Sequence, residues 1–248
     1  MADHNRPIPV QAIGWRDVVP LLQPGQMHVC VCQPGSGKSS LALGLARDLV
    51  ARPADPVQVL YISTDLSVPM LTWKLITAMT GVPYDFLESG TCSPAQLAAV
   101  DQAQAAIASW PLVLMAPTDA TADQLTTLIH QHASVRSTVV IVDYLGAETL
   151  GVTTSSVQTM VRSLASIARE LGIPIVATAG YAEDEDLDGA DAVLGLGLDE
   201  DDASDDQRNV DLFLLRSADG RIDGSRLVFD VRRMTHQPRA AVAGLDDR

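Results

Sequence analysis

Nine consecutive residues limit what this chain can fold into more than any other feature: Cys32-Gln33-Pro34-Gly35-Ser36-Gly37-Lys38-Ser39-Ser40. An apolar, β-patterned run (26–32) precedes them and a helical pattern (38–51) follows. A glycine-rich turn between strand and helix is a phosphate cradle. Glycines let successive backbone N–H groups converge on an anion without Cβ clashes. The helix aims the positive end of its dipole at the same point. In this P-loop pattern Lys38 supplies a point charge to the β- and γ-phosphates, and the Ser39 hydroxyl is a magnesium ligand. Pro34, Gly35, Ser36, Gly37 and Ser40 complete the expected nucleotide-binding set, with ATP and Mg2+ as the implied ligands. Cys32 stands where the usual pattern has its first glycine, and a small residue fits there.

Such a loop needs a second acidic element. Val139-Val140-Ile141-Val142-Asp143 is an apolar run ending in an acid, the Walker-B pattern that holds magnesium. Away from a P-loop it would read equally well as an ordinary buried strand. Asp65 closes a similar run, Leu60-Tyr61-Ile62-Ser63-Thr64. An acid there polarises an attacking water, or, with Ser67, caps the next helix; spacing leaves both open. Strand patterns over 57–63, 112–115, 138–142 and 173–178 alternate with helical patterns over 68–80, 94–109, 122–132 and 155–171. That alternation predicts an α/β fold: a mostly parallel twisted sheet flanked by helices. Residues 210–216 and 226–231, separated by Asp219-Gly220 and Asp223-Gly224, predict a C-terminal antiparallel hairpin.

Composition narrows the class. The chain has 248 residues, 47% of them hydrophobic, enough for one large core. Cys30, Cys32 and Cys92 match no zinc spacing and are too few for a disulfide scaffold, which fits a cytoplasmic setting. No apolar run reaches the ~18–20 residues of a membrane span, and the N-terminus lacks a signal-peptide pattern. With 31 acidic against 17 basic residues the net charge is −14, which argues against a strongly basic nucleic-acid surface. Of that charge, 12 carboxylates with no Lys or Arg fall in residues 183–206, leaving −2 for the rest. This run reads as a solvated loop pair around a short strand, or as a loop that repels polyanions or engages a basic protein partner. The first 20 residues, with Pro7, Pro9 and Pro20, read as a loose arm. Residues 21–238 form the expected domain, with the acidic insert at 183–206, and 239–248 a tail. Trp15, Trp73 and Trp110 read as packing anchors.

Several segments in order carry a resemblance: the P-loop, Tyr61-Ile62-Ser63-Thr64-Asp65-Leu66-Ser67, Thr80-Gly81-Val82-Pro83, Val140-Ile141-Val142-Asp143-Tyr144-Leu145, and Arg169-Glu170-Leu171-Gly172-Ile173-Pro174. From Trp15 to Gln237 the chain resembles the RecA-type motor domain of bacterial replicative DNA helicases, the DnaB type. The resemblance implies a RecA-like P-loop NTPase fold, Mg2+-dependent ATP hydrolysis and a homo-oligomeric, hexameric ring. Lys38 and Ser39 match the family's phosphate and magnesium residues, and Asp143 its Walker-B acid. Asp65 matches its catalytic glutamate, one methylene shorter. Arg216 matches the arginine finger that reaches the neighbouring subunit's nucleotide.

The departures bear on mechanism. Gly180 stands where the family has a γ-phosphate-sensing glutamine, and Leu214 where it has a lysine. The long DNA-binding loop is cut to the acidic stretch Tyr181–Ala190, and Gly146–Thr154 holds no basic residue. Loops without cations oppose single-stranded DNA binding, which depends on phosphate neutralisation. Two functions follow. One is a ring-forming helicase-type ATPase. The other is a nucleotide-binding protein of helicase ancestry that does not unwind and acts through a protein partner. A small-molecule kinase ranks below both, because no arginine-rich lid is present. Weak turnover is expected in either case: Asp65 falls about 1.5 Å short of a glutamate, and a misplacement of that size costs on the order of a hundredfold in rate.

Overall fold

Uncharged runs of Val, Ile and Leu build the centre of the molecule. In a computed structural model, residues 7–52, 57–117, 121–133, 137–146, 154–180, 187–199, 204, 206–217 and 224–239 are described. In chain order the elements are β1 (Ile8–Pro9), α1 (Trp15–Val18), β2 (Leu21–Leu22), β3 (Met27–Cys32), α2 (Lys38–Val50), β4 (Gln58–Ser63), α3 (Val68–Thr80), α4 (Tyr84–Ser89) and α5 (Pro94–Ser109). They continue with β5 (Leu112–Met115), α6 (Ala122–His132), β6 (Thr138–Leu145), α7 (Thr154–Leu171), β7 (Ile175–Ala179), β8 (Ala192–Asp199), β9 (Gln207–Ser217), β10 (Gly224–Asp230) and β11 (Thr235–Pro238).

Among the described residues, nine strands form one sheet in the order β11-β10-β9-β8-β3-β7-β6-β4-β5. The pairs from β8 through β3, β7, β6 and β4 to β5 are parallel. The pairs β8–β9, β9–β10 and β10–β11 are antiparallel. The expected parallel α/β fold and C-terminal hairpin are both present, and the hairpin is extended by β11. Alternation along β6 divides the core. Val139 and Ile141 face α2, whereas Val140 and Val142 face α6 and α7. A smaller cluster, Ile76, Val82, Val100 and Ala103, packs α3 against α5 with Trp73 at its edge. Among the described residues no helix is long and apolar enough to cross a membrane.

Helix starts follow local chemistry. Ser67 caps α3 by accepting from Met70 N, and capping boxes at Ser93/Gln96 and Thr121/Gln124 open α5 and α6. Pro174 cannot donate to a ladder, so the strand expected from 173 begins at Ile175, while Ile173 N donates back to Ala168 O.

Residues 7–20 do not form the loose arm expected from their prolines. β1 pairs with β2, Trp15 is wholly buried, and its Nε1 donates to Leu41 O on α2 at 3.1 Å. Trp15 is buried together with Ile8, Val10, Val18 and Val19, and it is this joint apolar burial that opposes the entropy of ordering the segment. Residues 1–6 lie outside the described residues. Within the acidic stretch, β8 is an interior strand whose residues Ala192–Leu196 are buried between β3 and β9. Residues 183–186, 200–203 and 205 lie outside the described residues. So does the expected tail beyond Arg239, whose guanidinium holds Asp199 at 2.7 Å.

Candidate active site

The P-loop follows β3, and Gly35 and Gly37 adopt φ of 82° and 85°, a region that favours glycine. A Cβ on Gly37 would also lie 2.9 Å from His236 and Phe229 ring atoms. Gly37 is the N-cap of α2 and offers no side-chain cap, unlike Ser67, Ser93 and Thr121 on α3, α5 and α6. The first N–H groups of α2 therefore have no capping side chain.

Three strands on one side of β3, namely β8, β9 and β11, fix this loop. Gln33 Oε1 accepts from Leu198 N at 2.6 Å, and Gln33 N donates to Leu196 O. Arg208 Nη1 donates to Gly35 O at 2.6 Å. His236 Nε2 donates to Ser36 O at 3.2 Å, so the neutral ring carries its proton on Nε2. Burial lowers the pKa of His236 from the ordinary 6.5 to about 4, against a smaller opposing effect of the Ser36 bond. Phe229 stacks on its ring with centroids 4.7 Å apart. Neither Arg208 nor His236 stands out in the sequence, because their partners lie 173 and 200 residues away.

The acids converge on the same end of the sheet. Lys38 Nζ lies 3.6 Å from Asp65 Oδ2 and 4.1 Å from the centroid of the Tyr144 ring. Asp143 is fully buried. Its Oδ2 accepts from the Tyr61 hydroxyl at 2.8 Å and its Oδ1 from Thr178 Oγ1 at 2.7 Å. Two neutral hydroxyls thus satisfy both oxygens of the buried side chain. Burial, then the Asp143 charge, pushes the Tyr61 hydroxyl far above its usual range, so it stays a donor. Thr178 pairs with Asp143 across the β6–β7 ladder; a lone hydroxyl inside an apolar strand was its signal. Ser39, on the first turn of α2, is nearly buried. A hydroxyl-supported carboxyl group and a serine hydroxyl are oxygen donors that suit Mg2+, which keeps several of its waters. Among the described residues no cluster of three or more His, Cys, Asp or Glu could hold a metal unaided.

Cys32 fits the turn with its thiol turned inward, 3.4 Å from Cys30 O. The Cys30 hydrogen bond and burial push that thiol well above its ordinary pKa, so it is not a reactive thiolate. Ser40 Oγ touches Met234 Sδ at 3.8 Å, beside a cavity of about 480 Å³ along α2 that Lys74, Arg47 and Trp110 also line. Arg216 is not drawn into the site. It pairs with Val193, level with Val29 and three residues short of Cys32, roughly 10 Å along the strand. Its Nη2 donates to Leu187 O at 2.8 Å.

Residues 17–183 match the family described as DnaB-like helicase C-terminal domain. A replicative DNA helicase DnaB of Leifsonia xyli is 27% identical over 161 residues, covering 63% of this chain and 35% of that protein. The chain therefore spans about a third of that relative's length. A solved structure of a DnaB-like replicative helicase superposes with a TM-score of 0.73 at 16% identity, covering 86% of this chain and 57% of that one. A second solved structure, of an ATPase domain, gives 0.72 at 16% identity, covering 86% of this chain and 84% of that one. These likenesses establish a RecA-like fold.

Proposed function

The chain belongs to the DnaB-like helicase C-terminal domain family, and from that premise we propose that it is a Mg2+-dependent ATPase of the helicase-motor type with weak turnover. The observation that carries this is the convergence of Lys38, Asp65, Ser39 and Asp143 at the C-terminal ends of β3, β4 and β6, where the uncapped start of α2 faces them. Ligands of open α/β sheets bind at this end.

The P-loop amides and the α2 dipole hold the phosphates, and the nucleoside leaves past Ser40 towards the cavity along α2. Phosphate oxygens draw Lys38 away from Asp65, which frees that carboxylate to accept a proton. Water attacks the γ-phosphorus, the bond to the ADP oxygen breaks, and Asp65 takes the proton of the water. Mg2+ bound through Ser39 and, by way of water, Asp143 would neutralise charge on the β- and γ-oxygens. Gln33, Arg208 and His236 hold the loop so that this geometry is preset.

Arg216 serves the nucleotide of a neighbouring copy in a ring. Its position below the level of its own loop supports action in trans over action in cis. Residues 146–154 and 181–190 contain no Lys or Arg. This favours a second function, ATP binding without unwinding, exerted through a basic protein partner.

Steady-state ATP hydrolysis with and without single-stranded DNA, with Lys38→Ala as control, separates the two. DNA-stimulated turnover that the control lacks supports a motor. Nucleotide binding with little turnover and no DNA response supports the second function, and no nucleotide binding at all overturns both. Asp65→Glu is expected to raise turnover, because it restores the reach of a longer carboxylate; unchanged turnover counts against Asp65 as the base.

A further inference from the structure

We infer that the Tyr144 hydroxyl contacts the terminal phosphate and is the group by which this site distinguishes a nucleoside triphosphate from a diphosphate. The inference rests on the nucleotide site proposed above.

Tyr144 follows Asp143 within β6, at an irregularity of the strand. The β6–β7 ladder shifts register between Asp143 and Leu145, and this releases Tyr144 from pairing. Thr64, the neighbour of Asp65, then clamps the Tyr144 backbone from both sides. Its Oγ1 donates to Tyr144 O at 2.6 Å and accepts from Tyr144 N at 3.2 Å. The residue is therefore fixed to the same strand end that carries Asp65.

The side chain crosses in front of the site. Its ring centroid lies 4.1 Å from Lys38 Nζ, the ammonium that also meets Asp65 at 3.6 Å. Gly146 makes room for the ring. A Cβ on Gly146 would come within 2.1 Å of ring carbon and 2.3 Å of the hydroxyl oxygen, and one on Gly180 would sit 3.6 Å from Cε2. Gly180 follows β7 and borders the ring at ordinary contact distance.

Chemistry then assigns the contact. Lys38 reaches the β- and γ-phosphate oxygens, and the Tyr144 ring borders the space its ammonium crosses to do so. The hydroxyl is at the rim of a ring that already covers the ammonium. A phosphate oxygen offers lone pairs and no hydrogen, so a phenol hydroxyl that meets one there is the donor. Such a charge-assisted bond is about twice as strong as a neutral one. A diphosphate ends one phosphoryl group earlier and forgoes it.

The test is isothermal titration calorimetry of the purified chain with Mg2+, comparing ADP with the non-hydrolysable triphosphate AMP-PNP. Tyr144→Phe keeps the ring, its packing and the Lys38 contact, and removes only the donor. The ratio of triphosphate to diphosphate affinity is expected to fall by about tenfold, the order of one hydrogen bond to a charged group. An unchanged ratio overturns the inference and leaves the nucleotide site standing. So does an equal loss for both nucleotides, which a merely structural role would produce. Failure of the unmodified chain to bind either nucleotide overturns the nucleotide site and this inference together.

Discussion

At the loop end of the sheet, Gly35 to Ser40 are contiguous, and their chemistry follows from their order. At the acidic flank of β8 the chemistry comes from distant residues. Asp188 pairs with Arg162 at 2.9 Å, Asp191 with Arg169 at 3.5 Å, Asp199 with Arg239 at 2.7 Å and Asp206 with Arg232 at 3.6 Å. Read along the chain, residues 183–206 contain no cation at all. Folded, each of these four carboxylates faces an arginine from a helix, a turn or the far end of the sheet. Asp191 also accepts from Met27 N at 2.8 Å and so ties the start of β3 to β8. A local motif survives being read as a string, whereas a charge balance does not, because its partners are set by strand order.

Two buried histidines, one at each end of β3, give the sharpest way to break this comparison. His236 bonds the loop, and His28 sits at the opposite end of the sheet. Burial lowers each from the ordinary 6.5 to about 4; at His28 the Asp191 charge and a backbone hydrogen bond oppose the shift. The folded pKa lies below the unfolded one, so the unfolded chain takes up the protons first as pH falls. Stability is complete above pH 6.5 and is lost between 6.5 and 4, by about 3 kcal/mol per histidine. Urea midpoints across that window check it, and a flat profile would refute it. His236→Leu should remove about half of the slope.

Next in size is Gly37→Ala. A side chain at φ 85° is strained, and its Cβ would approach the Phe229 and His236 rings at 2.9 Å. A loss of about 2 kcal/mol in stability is expected, with nucleotide affinity reduced more than about tenfold in the same calorimetric titration. Gly172→Ala, where φ is 63° and no atom lies within 4 Å, isolates the strain from the clash.

Thr178→Val tests the support of Asp143. It removes one hydroxyl from a fully buried carboxylate at constant shape. Denaturant titration should show a loss of about 1–2 kcal/mol. A neutral result would mean that Tyr61 suffices alone. The smallest effect belongs to the acidic flank. Arg162→Ala breaks an ion pair in which both side chains are more than half exposed, and such pairs are worth under about 1 kcal/mol. A larger loss would show that the flank acts as a network.

Much of the fold was legible because its signals are local. Ser67, Ser93 and Thr121 mark helix starts within four residues, and uncharged β-branched runs mark buried strands. The prolines of residues 7–20 misled, because a turn signal cannot report that Trp15 is buried against α2. The site was legible in its contiguous loop and in the acid of the apolar run 139–143. Asp65 read equally as a helix cap or a base, and the structure places it against Lys38 while Ser67 does the capping.

The sequence by itself determined the glycine turn between β3 and α2, the acid near the end of β6 and the parallel α/β plan, since each depends on spacing within one or two elements. Tertiary structure decided what surrounds them. Tyr61 and Thr178 meet Asp143, and Tyr144 lies beneath Lys38. Arg208 and His236 hold the loop carbonyls, and four arginines answer the acidic run. Each of these contacts requires a strand order and a register. Those are fixed by which apolar faces bury together across the whole chain, not by any neighbouring residue.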